Sequence, residues 1–153
     1  MTAVYDKLGL NFLYPENWKL IDESESEAPH SITLETPDGS GLWTVHVYPA
    51  DTVEAEVLKE ILDTLQETYQ DLEITPFESE LGSYKTSGVE ALFYCLDFLV
   101  KAQLQFVRTD ERFILFWTQA EDREFEKQAI VFNAISVGLL QGRAEENQSN
   151  NSV

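Results

Sequence analysis

Val89-Glu-Ala-Leu-Phe-Tyr-Cys-Leu-Asp-Phe98 carries apolar side chains in both phases of a two-residue repeat. Ala91, Phe93 and Cys95 fall on one face, and Leu92, Tyr94, Leu96 and Phe98 on the other. A strand that is apolar on both faces must be covered on both sides, so this segment belongs in the middle of a sheet. Arg112 to Thr118 repeats the pattern, with Phe113, Leu115 and Trp117 opposing Ile114 and Phe116. Two central strands of this kind need cover from both directions, by helices on the faces and by further strands at the sides.

Working towards the N-terminus, Ser31–Thr36 and Leu42–Tyr48 alternate in a single phase, as strands with one buried face do. Pro37-Asp-Gly-Ser-Gly41 between them is a hairpin signal. Leu10–Tyr14 and Trp18–Ile21 are two short strands separated by a Pro15-Glu-Asn turn, and Asp22–Pro29 is an acidic loop. Glu73–Tyr84, interrupted by Pro76 and Gly82, is an edge strand, and Gln103–Arg108 is a further strand.

Two helices supply the cover. Val53, Val57, Leu58, Ile61, Leu62, Leu65 and Tyr69 lie at helical spacing over about five turns, behind Asp51 or Thr52 as cap. Asp122 opens a second helix whose inner stripe is Phe125, Ala129, Phe132, Ile135 and Ser136, with Gly138 near its end. Short turns within each group of strands make the pairing antiparallel. The expected fold is therefore α+β: an antiparallel sheet of about six to seven strands with helices packed on it in α/β/α layers. A single domain spans residues 1–140, and residues 141–153 (QGRAEENQSNNSV) are expected to form a disordered polar tail.

The 153 residues carry a net charge of −18, unevenly distributed. Residues 1–84 hold eighteen acids against three bases, and residues 85–153 ten against seven. Such a surface repels phosphate backbones and anionic lipid, which argues against nucleic acid and membrane as partners. It suits solubility, a basic protein or a weakly held cation; Glu23, Glu25 and Glu27 in the acidic loop are the candidate residues for the last two. No charged-then-apolar leader and no membrane-length apolar run is visible, so the expected compartment is the cytoplasm.

Catalytic and cofactor signatures are missing. The two histidines, His30 and His46, stand apart, and there is no Gly-x-Ser-x-Gly elbow, glycine-rich phosphate loop or Asp-x-Asp-x-Asp-Gly loop. Cys95, the single cysteine, reads as inert packing in a central strand. No metal or cofactor is expected, and the chain is read as not an enzyme. The segment Phe98-Leu-Val-Lys-Ala102 stands out because a turn or bulge falls here without Gly, Pro or Asn. As a hairpin tip, it presents Phe98, Leu99 and Val100 as an apolar patch of the kind that marks interaction sites. Otherwise the strand continues, or the tip packs beneath a helix end. Asp97 needs a partner from Lys101, Arg108 or Arg112, or a place at an exposed strand end.

The opening Gly9-Leu-Asn-Phe-Leu-Tyr-Pro-Glu-Asn-Trp18 resembles the G-F-x-F-x-Y-P-x-x-W start of the PsbP-like superfamily. That group includes the photosystem PsbP proteins, a Ran-binding import factor family and DcrB-like proteins. The resemblance covers residues 5–140 in the order of elements. It implies a non-enzymatic module that binds another protein. Effector chaperones in the same superfamily imply an alternative: an acidic adaptor, a homodimer in one form, holding a hydrophobic segment of a secreted effector. An enzyme without a visible motif is the remaining alternative. None of the superfamily's binding residues maps onto this chain position by position.

Overall fold

The computed structural model describes residues 1–23 and 30–151, with side chains through Gly142. The elements run β1 (Thr2–Lys7), β2 (Leu10–Pro15), β3 (Lys19–Asp22), β4 (His30–Glu35), β5 (Gly41–Pro49), α1 (Glu54–Thr68), β6 (Glu73–Leu81), β7 (Tyr84–Cys95), β8 (Phe98–Arg108), β9 (Arg112–Glu121) and α2 (Asp122–Asn151). Among the described residues, β3 to β9 form one seven-stranded antiparallel sheet in the order β3-β4-β5-β9-β8-β7-β6. β1 and β2 make a separate hairpin. β9, one of the two doubly apolar segments, occupies the middle beside β8, with Phe106 paired to Leu115. β7, which holds most of the other, lies one strand in from the β6 edge; Tyr94 near its end and Phe98 at the start of β8 are exposed rather than covered. The α+β fold is as the pattern required.

The two faces of the sheet are covered by different elements. On one face Trp43, Val45, Ile114 and Phe116 pack with Phe125, Phe132, Ile135 and Leu139 of α2 and with Phe12 of the hairpin. On the other, Phe93, Leu104, Phe106 and Phe113 pack beneath Val57, Ile61 and Leu62 of α1. The opening motif works structurally. Trp18 N–H closes a turn onto the Pro15 carbonyl at 3.0 Å, and its ring meets Phe132 edge-on at 5.9 Å. Phe12 lies 5.2 Å from Trp43, so strand, turn and return are one aromatic corner.

Some local expectations give way. Thr2–Lys7 form β1, because Leu8 and Gly9 both take left-handed backbone and fold the chain back in a two-residue turn. α1 begins after Val53 without a side-chain cap. Arg108 instead reaches across to the carbonyls of Ala50 and Thr52 and fixes the approach to the helix. α2 does not end near Gly138: Leu139 and Leu140 are buried, and the helical backbone runs through the segment expected to be a disordered tail as far as Asn151. Ala144, Glu145 and Glu146 are good helix formers, and no proline interrupts them.

The sheet's free edges are short or charged. β3 has four residues, and β6 carries Pro76 with Glu73, Glu78 and Glu80.

Candidate functional site

β7 and β8 are joined by a two-residue turn, Leu96-Asp97, closed by the pair Cys95 and Phe98. Leu96 has φ of 58°, a left-handed conformation that costs a β-substituted residue about 1–2 kcal/mol. Its side chain is nevertheless 90% exposed, so no packing repays that cost. Tyr94 (59%) and Phe98 (52%) are exposed beside it.

The apolar tip thus exists, but its members differ from the expected Phe98, Leu99 and Val100. Phe98 is exposed, Leu99 is half-buried, and Val100 lies in the core opposite Phe93. The turn comes two residues earlier than the missing glycine suggested, because Leu96 itself adopts the glycine-like conformation. Asp97 was the available signal: a carboxylate inside an apolar run marks the turn. Being exposed there, it needs no basic partner. Lys101 instead pairs with Glu90 at 3.8 Å, and Arg112 donates to the Leu8 carbonyl at 2.9 Å. Cys95, expected to be buried, is exposed at the end of its strand.

Between this tip and the β4–β5 turn lies a cleft of about 400 Å³. Leu42, Phe98 and Val100 give it apolar lining, and Asp38, Gln119 and Glu121 polar lining. The β4–β5 turn is held by Asp38, whose Oδ1 accepts from Ser40 Oγ (2.7 Å), Ser40 N–H (3.0 Å) and Thr36 Oγ1 (2.9 Å). These bonds, Ser40's first, lower the Asp38 carboxyl to about 2 and keep it ionised. Glu121 is paired with Arg123 at 2.7 Å.

The other polar candidates are structural in geometry. Glu23 of the acidic loop is exposed, and its N–H donates to the Ser31 carbonyl at 2.9 Å; Glu25 and Glu27 lie outside the described residues. Ser31 Oγ and His46 Nδ1 are 2.7 Å apart across β4 and β5, a spacing that would suit a nucleophile and its base. Ser31 is buried, however, at 8% exposure, in the middle of the β3–β4–β5 pairing. Burial holds His46 below the usual imidazole range, with the charge of Glu23 working against it. Tyr5 donates to Asp22 at 2.8 Å, and His30 lies 3.7 Å from the same carboxylate, tying the hairpin to β3 and β4. Burial first, then Asp22, pushes the Tyr5 phenol up. Among the described residues no group of three or more His, Cys, Asp or Glu is placed to hold a metal ion, and no helix is long and apolar enough to cross a membrane.

A larger groove of about 820 Å³ separates the hairpin from α2. Val4 and Leu13, paired on the hairpin's outer face, line it opposite Ala134 and Gly138.

One antiparallel sheet, a helix on each face and a separate N-terminal hairpin packed into the core define an α+β scaffold. It is the PsbP-like fold. The solution structure of cyanobacterial PsbP (CyanoP) from Synechocystis sp. PCC 6803 superposes with a TM-score of 0.61, over 90% of each chain at 13% identity. LpqN of Mycobacterium tuberculosis, a protein involved in cell envelope biogenesis, gives 0.52 over 88% of this chain and 87% of that one, at 17% identity. A Bacteroides thetaiotaomicron protein gives 0.60 at 11% identity, with 88% of this chain matching 46% of that one. No protein-family model matches the sequence, and no curated protein matches it. Identities this low establish the fold and leave activity to be argued from the site.

Proposed function

We propose that this chain is a non-enzymatic protein-binding module that docks its partner at the open end of the sheet, around the β7–β8 turn. The observation that carries the reading is Leu96: fully presented to solvent, held in a left-handed conformation, and flanked by exposed Tyr94 and Phe98. Burial of such side chains in an interface supplies about 1.5–3 kcal/mol each. Backbone strain without a packing benefit is the kind of cost that persists at functional sites.

The test is capture from native lysate on the wild-type chain and on a Leu96→Ser/Phe98→Ser variant, each first shown to be folded by circular dichroism. A partner retained by the first and lost by the second supports the reading. Equal capture by both would place binding elsewhere.

A second reading, an adaptor for a hydrophobic segment, draws on the apolar groove between the hairpin and α2. It requires that Val4→Asp or Leu13→Asp, and not the turn variant, abolish capture.

A further inference from the structure

We propose that the cleft between the β4–β5 and β7–β8 turns takes a basic polypeptide segment, an aliphatic or aromatic anchor flanked by Lys or Arg. The inference rests on the docking reading above and adds the chemistry of the partner.

The cleft joins two kinds of surface. Its apolar lining, Leu42, Phe98 and Val100, offers a place for one large side chain. Around it stand carboxylates: Asp38 and Glu121 line the cleft, and Asp97 sits in the turn between the exposed Leu96 and Phe98. Arg123 pairs with Glu121 at 2.7 Å and offsets part of its charge. α1 ends nearby, where Tyr69 stacks on Phe93 at 4.2 Å, and no basic residue occupies its last turn. The anchor therefore enters the apolar lining while its flanking cations meet the carboxylates.

Charge decides among occupants. A second copy of this chain would bring its own −18, and nucleic acid or anionic lipid would be repelled in the same way. A basic segment is attracted over the whole approach, and its long aliphatic stems can lie on the exposed Phe98 ring with the charged heads outward. Such complementarity acts chiefly on association rate and falls with ionic strength.

The experiment is selection from a random peptide display library on the full chain, followed by titration of the selected synthetic peptides. Cys95, exposed and lining the cleft, reports occupancy through its rate of alkylation by iodoacetamide. Selected peptides are expected to carry an apolar residue flanked by Lys or Arg and to slow Cys95 alkylation. They should also weaken about tenfold on Asp97→Asn/Glu121→Gln, the two carboxylates that do not hold a turn. Asp38 is left in place because it locks the β4–β5 turn. Neutral or acidic winners that still protect Cys95, or affinity unchanged by the charge variant, overturn the basic-segment inference and leave the docking reading standing. Winners that bind Leu96→Ser/Phe98→Ser as well as wild type and leave Cys95 unprotected overturn both.

Discussion

The indole N–H of Trp43 donates to Ser136 Oγ at 2.8 Å, linking the middle of β5 to α2 through the centre of the core. Ser136 passes the bond on, donating to the Phe132 carbonyl at 3.1 Å, and both side chains are buried. Removing the hydroxyl leaves a buried indole N–H unsatisfied. Ser136→Ala is expected to lose about 1–3 kcal/mol in urea unfolding. A cycle with Trp43→Phe should return a coupling of about 0.5–3 kcal/mol, and additivity within error would show that the bond contributes nothing specific.

Leu96 supplies a second prediction. Asparagine tolerates the left-handed region by bonding its own backbone, so Leu96→Asn should raise stability by about 0.5–1 kcal/mol. The same change should weaken partner capture. A variant that is no more stable than wild type would mean that the leucine is not strained.

Two glycines should respond in opposite senses to alanine. A Cβ at Gly88 would stand 1.8 Å from the Leu104 carbonyl oxygen, backbone against backbone, where β7 meets β8. Gly88→Ala is expected to cost more than about 4 kcal/mol or to leave no folded product. A Cβ at Gly138, inside α2, meets nothing within 4 Å. Gly138→Ala should stabilise by about 0.5–1 kcal/mol through helix propensity. Thermal denaturation of both variants checks the pair.

His46 gives the pH dependence. Its folded pKa lies below the unfolded value of about 6.5, because burial disfavours the imidazolium. Below that pH the unfolded chain takes up a proton that the folded chain does not. Stability therefore falls as pH drops from about 6.5 towards the depressed pKa, and is fully present above it. The difference in unfolding free energy between wild type and His46→Gln should shrink on acidification. A difference that grows as pH falls would reverse the assignment.

Much of the fold was legible because burial writes a period into sequence. The single-phase alternation of Ile32, Leu34, Trp43 and Val45 gave β4 and β5, and the double phase at Phe113–Trp117 gave the sheet's centre. The site was legible only in part. Phe98 is exposed as expected of the tip, whereas Leu99 is half-buried and Val100 buried, because a turn without glycine, proline or asparagine has no local signature. Leu96 looks like any strand leucine until its φ is known. The cleft was beyond reach, since it arises where two turns some sixty residues apart meet at one sheet end. The continuation of α2 past Gly138 was not legible, because the polar composition of residues 141–153 matches a tail as well as a helix.

The edges of the sheet have a consequence for recognition. Adding a strand along β6 would require an incoming backbone to accept Pro76, which has no N–H to offer, and to settle beside Glu73, Glu78 and Glu80. The four residues of β3 are too few to template much at the opposite margin. Growth of the sheet by another chain is thereby discouraged on both sides. The docking proposed above therefore depends on side-chain shape and charge, on anchors and counter-ions rather than on borrowed main-chain bonds.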